Sequence, residues 1–457
     1  MDTSAQLGRR QAKDSARSQL RTKRILGWSV LLNLVLPGLA SLLLGRRWVG
    51  AKLIAALGIT WSLGWFGLLG YLAWSGLNNH QLFFTLITSD SFLLSCQVAL
   101  AGNLIFAIFA GAHGIYATGK SNFGKAGKGL LAAVLALVTA AQVATYATAV
   151  SYIQSQRDLI HQVFAIGGAD TAYAATRTGS AAAGVAAATP RVNILLLGGD
   201  AGKDRWGLRP DSISILSVNA KTGKTVIFGI PRNMQKVPFA PYSPLWKAFP
   251  HGYNCGEKCL INALYTYANG HPKLYAGARY KGKVPGVEAT REAAEGVLGM
   301  RIPFVITTDM SHFKELVDSV GGLTICVPKK TLAQDLKTVF PKGCQHMNGA
   351  HVLLYSRTRY DADDYHRMLK QRLIEKAIIQ QVSPIELVMN YQKIARSAGQ
   401  YVSTNIPAAK LGFLLNLGLK AKGRYVQNVE MSPPRFNMIK PNFKAIQALV
   451  QRTLKAN

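Results

Sequence analysis

Aspartates and arginines sit at the ends of apolar runs between positions 193 and 233. Asp200 follows "NILLLGG", Arg209 and Asp211 precede "SISILSV", and Arg232 follows "VIFGIP". If the runs are strands, these side chains gather where a sheet hands over to its loops, a usual place for ligand groups in α/β folds. The chemistry that fits is a divalent cation held by Asp200 and Asp211 together with substrate phosphates, the ordinary mode of Mg²⁺ binding. Arg209 and Arg232 then fork onto the remaining phosphate oxygens. Two surface Asp–Arg ion pairs, which stabilise little, are the competing reading of this segment. Asp204, in mid-loop, has no strand end to fix it. The stretch "GGDAGKD" lacks the spacing and the Lys-Ser/Thr pair of a nucleotide P-loop.

A second cluster, "LLYSRTRYDADDYHRMLKQR", places Arg357 and Arg359 on alternate positions, then Asp361, Asp363 and Asp364. Arg367 and Gln371 follow four apart, on one face of a helix. Acids at a helix start answer its dipole. That accounts for the aspartates and leaves the arginines before them unexplained.

The elements that must position these residues follow from periodicity. Strand-like runs lie at 192–197, 213–218, 225–230, 304–307 and 323–327, and helical patterns at 261–268, 288–298, 310–320 and 365–382. Strands interleaved with helices predict an α/β domain, a sheet covered by helices. No internal repeat is visible.

The 457 residues carry a formal net charge of +31 although only 16% are charged, which favours polyanionic partners. Four apolar runs, at 25–44, 53–74, 92–116 and 129–153, each approach the roughly 20 residues needed to cross a bilayer. Basic residues crowd the tail (Arg9 to Arg24), the first connection (Arg46, Arg47, Lys52) and the third (Lys120, Lys125, Lys128), whereas the connection over 75–91 has no Lys or Arg. The charge rule puts the basic segments in the cytoplasm. The first run, with Pro37-Gly38 at its middle, is then a re-entrant hairpin, and three crossings follow. Four crossings with the tail outside is the alternative. Both place everything after 153 outside the cytoplasm. The expected organisation is a basic tail over 1–24, a membrane region over 25–153, an Ala/Gly-rich linker over 154–190 and an outer domain over 191–457.

Of the five cysteines, Cys96 lies in an apolar run and four lie in the outer domain, where an oxidising compartment permits bridges. Their grouping suggests Cys255 with Cys259 and Cys326 with Cys344, one of three possible connectivities. A zinc site on His251, Cys255 and Cys259 is the rival, and it supplies three ligands where a structural site takes four.

The order Gly-x-Asp, Arg-x-Asp, "IPRN", "VGGLTICVP" and "GAHVLLYSRTRYDADDYHRMLKQ" resembles the LytR-CpsA-Psr family of cell-envelope glycopolymer transferases over about 192–371. The multi-pass N-terminus and the "RWGLRPDS" and "PRN" variants resemble actinobacterial forms. The resemblance implies an all-α transmembrane region followed by an extracytoplasmic catalytic domain with a mixed sheet flanked by helices. It implies transfer of a glycan phosphate from a polyprenyl-pyrophosphate carrier to a peptidoglycan hydroxyl, with Mg²⁺ as cofactor. Asp200 and Asp211 match the family's metal carboxylates. Arg209, Arg232, Arg357, Arg359, Arg367 and Gln371 match its pyrophosphate contacts, and Asp364 its acid before the helical arginine. Arg232, Arg357, Arg367 and Asp364 are the implied catalytic set, with Asp211 and Asp364 the candidates for general base. Asn233 and Lys370 stand where many members have Asp and Arg. Lys370 keeps the charge and loses the planar fork, and it receives no pyrophosphate role.

Phosphoryl transfer is mostly positioning and charge stabilisation, and a pyrophosphate carrier supplies the driving force without ATP. The expected partners are the lipid-linked glycan, peptidoglycan and the membrane, and no nucleic acid, since no helix-turn-helix pattern accompanies the charge. The apolar segments 384–391 and 411–419 are candidates to line a lipid-tail pocket, or are ordinary core helices. A membrane-anchored protein that binds or regulates anionic glycan or lipid without turnover is the alternative function, and it has no need of Asp200 and Asp211.

Overall fold

The computed structural model describes residues 49–119, 124–164, 191–200, 209–309, 313–358, 364–389 and 402–457. The chain divides into two compact units, Met1–Gln154 and Ser155–Asn457.

The first unit is helical: α1 (Val49–Asn78), α2 (His80–Thr88), α3 (Asp90–Gly119) and α4 (Lys125–Phe164). Three of these are long and apolar enough to cross a membrane, over Ala56–Asn78, Asp90–His113 and Lys125–His161. They contain three of the four apolar runs read from sequence. The fourth, at 25–44, with its expected re-entrant turn, lies outside the described residues. Leu131, Leu135, Ala107 and Phe84 pack inside the unit, while Leu57, Leu63, Phe109 and Leu137 are more than half exposed. The connection over 75–91, which has no Lys or Arg, is not a plain loop. Asn79 accepts a hydrogen bond from the Leu82 amide at 3.0 Å and so caps α2. α4 continues to Phe164, so the first ten residues of the segment 155–190 are helical.

The second unit is a mixed α/β structure. Ten strands are described: β1 (Arg191–Asp200), β2 (Arg209–Asn219), β3 (Thr225–Ile230), β4 (Phe304–Asp309), β5 (Leu323–Val327), β6 (Thr331–Leu332), β7 (Val339–Phe340), β8 (Gly343–Met347), β9 (Val402–Thr404) and β10 (Val426–Glu430). Six form one sheet in the order β10-β3-β2-β1-β4-β9. β1 is antiparallel to β2 and parallel to β4, β2 is antiparallel to β3, β3 is parallel to β10, and β4 is antiparallel to β9. The all-apolar runs of β1 and β3 make sense because both faces of the sheet are covered.

One face carries α5 (Ala263–Gly270), α6 (Pro285–Leu298) and α12 (Phe443–Ala456). Leu195, Leu197, Ile213, Ile215 and Phe228 pack there with Ala293, Val297, Ile446 and Val450. The intervening positions Val192, Ile194 and Val218 face the opposite way, toward α9 (Asp364–Gln381) and, beyond the short α10 (Pro384–Met389), toward α11 (Leu411–Ala421). α7 (Phe313–Ser319), α8 (Gly349–Arg357) and the β5–β8 hairpin join α9 in a further core of Phe313, Val317, Leu323, Val352 and Ile374.

A buried ion trio fastens α9 to the sheet. The Arg372 guanidinium is wholly buried; it donates to Glu375 and lies 3.2 Å from Glu430 of β10. Ser214 of β2 donates to Glu375 at 2.9 Å. Gly229 makes room for this arrangement, since a Cβ there would come within 2.0 Å of the Glu430 carboxylate.

Both disulfides join the pairs read from sequence, Cys255 with Cys259 and Cys326 with Cys344. Cys326 and Cys344 are direct cross-strand partners in the β5–β8 ladder. With Cys255 and Cys259 bonded to each other, the alternative zinc site loses two of its three ligands.

Candidate active site

The site forms at one end of the sheet and depends on a defect in the β1–β2 ladder. Gly198 pairs with Ser212, but Gly199 pairs with Pro210, so Asp211 is an extra residue with no cross-strand partner. Such a bulge frees a side chain from the strict alternation of the strand, and it is a common device beside active sites. The ladder then closes with Asp200 opposite Arg209. β1 thus extends through Asp200 itself, beyond the Gly198-Gly199 end read from sequence.

Asp211 meets residues from two other elements. Arg232, just after β3, donates Nη1 to Asp211 Oδ1, and presents Nε to Asp364 Oδ2 at 3.0 Å and Nη2 to Asp364 Oδ1 at 3.3 Å. Arg367, one turn along α9, places Nη2 2.9 Å from Asp364 Oδ1 and Nη1 3.9 Å from Asp211 Oδ2. Its Nη2 also donates to the Asp211 carbonyl at 3.4 Å. Two carboxylates and two guanidiniums therefore alternate around a closed ring. Arg367 is 5% exposed, whereas Arg232, Asp211 and Asp364 are each about a quarter exposed, so the ring is anchored from below and opens to solvent.

Burial alone would lower the pKa of Arg232. The negative charges of Asp211 and then Asp364, with their hydrogen bonds, outweigh it and raise the value. The Arg232 guanidinium therefore stays charged, as a group that meets phosphate must.

The surrounding residues tie the ring in place. Asn233 donates to the Tyr365 hydroxyl at 3.1 Å, linking the segment after β3 to the start of α9. Lys370 is buried and donates to the Thr358 carbonyl at 3.1 Å.

Of the residues singled out in sequence, Asp211, Arg232, Asp364 and Arg367 come together in the ring. Asp200 and Arg209 face each other at the adjacent end of the β1–β2 ladder, with Arg209 exposed. Arg357 closes α8 and is half-buried. Arg359, Asp361, Asp363 and Asp204 lie outside the described residues. Gln371 is buried, and its Oε1 has no hydrogen-bond partner among the described residues. Among the described residues, no group of three or more His, Cys, Asp or Glu side chains is arranged to hold a metal unaided.

Sequence reasoning missed one feature of this region and found only part of the lining of another, since the segments 384–391 and 411–419, read as candidate pocket lining or core helices, do supply Leu387, Leu411 and Leu414 to the cavities described next. One is Asp309, the last residue of β4, which stands beside Gly199 in the parallel register. The run "FVITTD" ends on an aspartate just as "NILLLGGD" does, and that signal was legible. The other is a cavity of about 420 Å³, lined at polar positions by Ser212, which adjoins Asp211, by Gln371, one turn along α9 from Arg367, and by Thr308, Ser356 and Glu375. Its apolar lining includes Leu196, Ile306, Val317, Ile374, Val382 and Leu387. A second cavity, of about 310 Å³, shares Ile306, Ile378, Val382, Leu387 and Val402 with the first and adds Leu411, Leu414 and Leu415.

Comparison with known proteins places this domain. Teichoic acid transferase TagV of Bacillus subtilis is 29% identical over 205 residues, 43% of this chain and 45% of that protein. Teichoic acid transferase TagU of Bacillus cereus is 26% identical over 217 residues, 47% of this chain and 60% of that protein. This chain thus spans about half the length of the curated relatives it matches. The crystal structure of B. subtilis TagV is 24% identical with a TM-score of 0.43, covering 58% of this chain and 97% of that one. The sequence pattern of the LytR_cpsA_psr family matches residues 151–455. With well over half of its length matched, the chain belongs to the LytR_cpsA_psr family.

Proposed function

We propose that this protein is a membrane-anchored phosphotransferase that moves a glycan phosphate from a polyprenyl-pyrophosphate carrier to a peptidoglycan hydroxyl. The observation that carries the reading is the Asp211–Arg232–Asp364–Arg367 ring together with a mostly apolar cavity whose lining reaches Ser212, next to Asp211, and Gln371, one turn along α9 from Arg367. A charged site for two phosphates near a mostly apolar cavity for a hydrocarbon tail matches the two halves of a polyprenyl pyrophosphate. The relatives named as polyisoprenyl-teichoic acid–peptidoglycan transferases support the same substrate class.

The arginines carry the charge work. Arg232 and Arg367 are held rigidly by carboxylates, so their donors are set in place before substrate arrives, and preorganised donors lower a barrier most effectively. Arg209, Arg357 and Arg359 extend the cationic rim, and Gln371 offers its amide at the polar end of the cavity. Asp211 and Asp364 are the carboxylates available to take the proton from the acceptor hydroxyl, within reach of the same phosphates. Attack of that hydroxyl on the phosphorus that bears the glycan forms a glycan–peptidoglycan phosphodiester, breaks the P–O bond of the pyrophosphate bridge and releases polyprenyl monophosphate.

Magnesium fits this donor set. Mg²⁺ is commonly bound by one or two carboxylates with substrate phosphates completing its shell, and Asp211 presents a partly exposed carboxylate next to the strand end that carries Asp200. When bound there, the ion would supply further neutralisation of phosphate charge.

The three apolar helices of the first unit serve as the anchor in this reading, with the second unit outside the cytoplasm, where disulfides persist. A passive binder of anionic glycan is the second reading, but it gives no reason for carboxylates to occupy the centre of a phosphate site. Incubation of the full chain with a polyprenyl-pyrophosphate glycan, peptidoglycan and Mg²⁺ tests the proposal. The expected products are polyprenyl monophosphate and glycan linked to peptidoglycan. Binding of the carrier with no monophosphate released would refute it.

A further inference from the structure

The chain between Cys326 and Cys344 forms a disulfide-closed loop at the surface of the second unit. β6 and β7 pair in a short ladder, Thr331 with Phe340 and Leu332 with Val339. On the inner side Ala333 and Phe340 are buried in the same apolar core as Phe313, Val317 and Leu323, three residues that also line the large cavity. On the outer side Leu336 is 60% exposed and Val339 45% exposed. Single exposed apolar residues are common, but Leu336 is displayed by a specific turn. Its backbone is left-handed, with φ of +58°, which bulky residues rarely adopt. Its amide donates to the Ala333 carbonyl at 3.1 Å, and Ala333 donates to the Thr338 carbonyl at 2.8 Å.

The charges around the tip have one sign. Lys329, Lys330, Lys337 and Lys342 are exposed, and the sole acid between the two cysteines is Asp335. Its carboxylate is engaged inside the turn, accepting from the Lys337 and Thr338 amides at 3.0 and 2.9 Å and from the Thr338 hydroxyl at 2.6 Å. A rigid tip with an aliphatic point and a collar of lysines matches the boundary between acyl chains and anionic headgroups, where apolar burial and attraction to lipid charge act together. A polyanionic glycan would use the lysines and leave Leu336 and Val339 in water.

We propose that the tip of the 326–344 hairpin inserts Leu336 and Val339 into the anionic outer leaflet, with Lys329, Lys330, Lys337 and Lys342 on its headgroups. The inference rests on the reading that the second unit works at the outer face of the membrane and draws a lipid carrier into its cavity. The hairpin shares its core with the cavity wall, so seating the tip would bring that wall to the leaflet from which a carrier tail is taken.

Photo-crosslinking tests this in the full chain. Benzoylphenylalanine replaces Leu336 in one preparation and Val339 in another, each reconstituted into vesicles of phosphatidylglycerol with phosphatidylcholine, or of phosphatidylcholine alone. Mass spectrometry after illumination should find acyl-chain adducts at both positions, about fivefold more abundant with the anionic lipid, and Lys329→Glu with Lys330→Glu should lower the yield about tenfold. Adducts to added peptidoglycan in place of lipid, no lipid adduct at either position, or a yield indifferent to both lipid charge and the lysines would overturn the proposal. The adducts need no turnover and should persist in Arg232→Ala. Lipid adducts from a chain with no transferase activity would count against the proposed function and leave this inference standing.

Discussion

Arg232 forks onto Asp364, with Nε 3.0 Å from one carboxylate oxygen and Nη2 3.3 Å from the other. The two residues come from opposite sides of the 132-residue stretch between β3 and α9, so this contact joins the first motif to the second. A planar, two-point contact is a geometry that lysine cannot copy. Arg232→Lys keeps the charge and is expected to lower transfer about a hundredfold, the scale seen when one preorganised donor is removed. The pair is partly exposed, so the unfolding midpoint should move little. Kinetics and thermal unfolding of the same preparation check both halves of the expectation.

The cavity gives a second expectation. Ile374 is 3% exposed on α9 and lines the larger cavity at the level where a tail would pass. Ile374→Trp should fill that space, weaken binding of long-chain carriers far more than binding of a short-chain pyrophosphate analogue, and leave the ring in place. Equal affinity for the two across wild type and variant would show that the cavity does not hold the tail.

The buried trio predicts a stability effect with a pH signature. Arg372→Met leaves Glu375 and Glu430 without their cation, and removing one member of a buried pair typically costs about 3–5 kcal/mol. Burial already raises the pKa of Glu430, with Arg372 opposing that rise. A carboxyl whose folded pKa is raised binds more protons folded than unfolded, so its contribution to stability falls as pH rises from the unfolded value through the folded one. Losing Arg372 raises the folded pKa further. The destabilisation of Arg372→Met should therefore be larger at neutral pH than at mildly acidic pH, read from thermal unfolding of the full chain in detergent.

The 326–344 disulfide closes a loop with a sequence separation of 18. Replacing both cysteines by serine should lower stability by about 3 kcal/mol, the loop-entropy value for this length. The Cys255–Cys259 bridge closes a much shorter loop and should contribute less. Thermal unfolding of each double variant measures the difference.

The strands were legible because burial on both faces writes them as continuous apolar runs, as in "TVIFGI", every residue of which is buried. The four ring residues were legible because each adjoins such a run or opens a helix. Other parts were hidden for physical reasons. α6 buries Glu288, Arg291, Glu292 and Glu295, which pair with one another and with Tyr242, Ser243, Tyr275 and Tyr280. The helix itself was legible over 288–298, but nothing local shows that these charged residues lie inside the domain and not in solvent. The bulge at Asp211 depends on pairing across two strands, and no local signal in "LRPDSIS" reports a register shift. β9 and β10 are short edge strands whose partners lie far away in sequence, so their runs carry little pattern of their own. The cavity arises from the spacing of α7, α9 and the sheet, which no single segment encodes.

The central claim is that the ring performs phosphoryl transfer and does not merely grip an anion. The most direct measurement is a single-turnover assay of polyprenyl monophosphate release from carrier-linked glycan, run with wild type, Arg232→Ala and Asp211→Ala at a series of Mg²⁺ concentrations, alongside equilibrium binding of the same carrier. The account predicts release by wild type, a loss of about a hundredfold or more in Arg232→Ala with binding much less affected, and a weakened response to Mg²⁺ in Asp211→Ala. Release at the wild-type rate by both variants, or losses confined to binding, would contradict it.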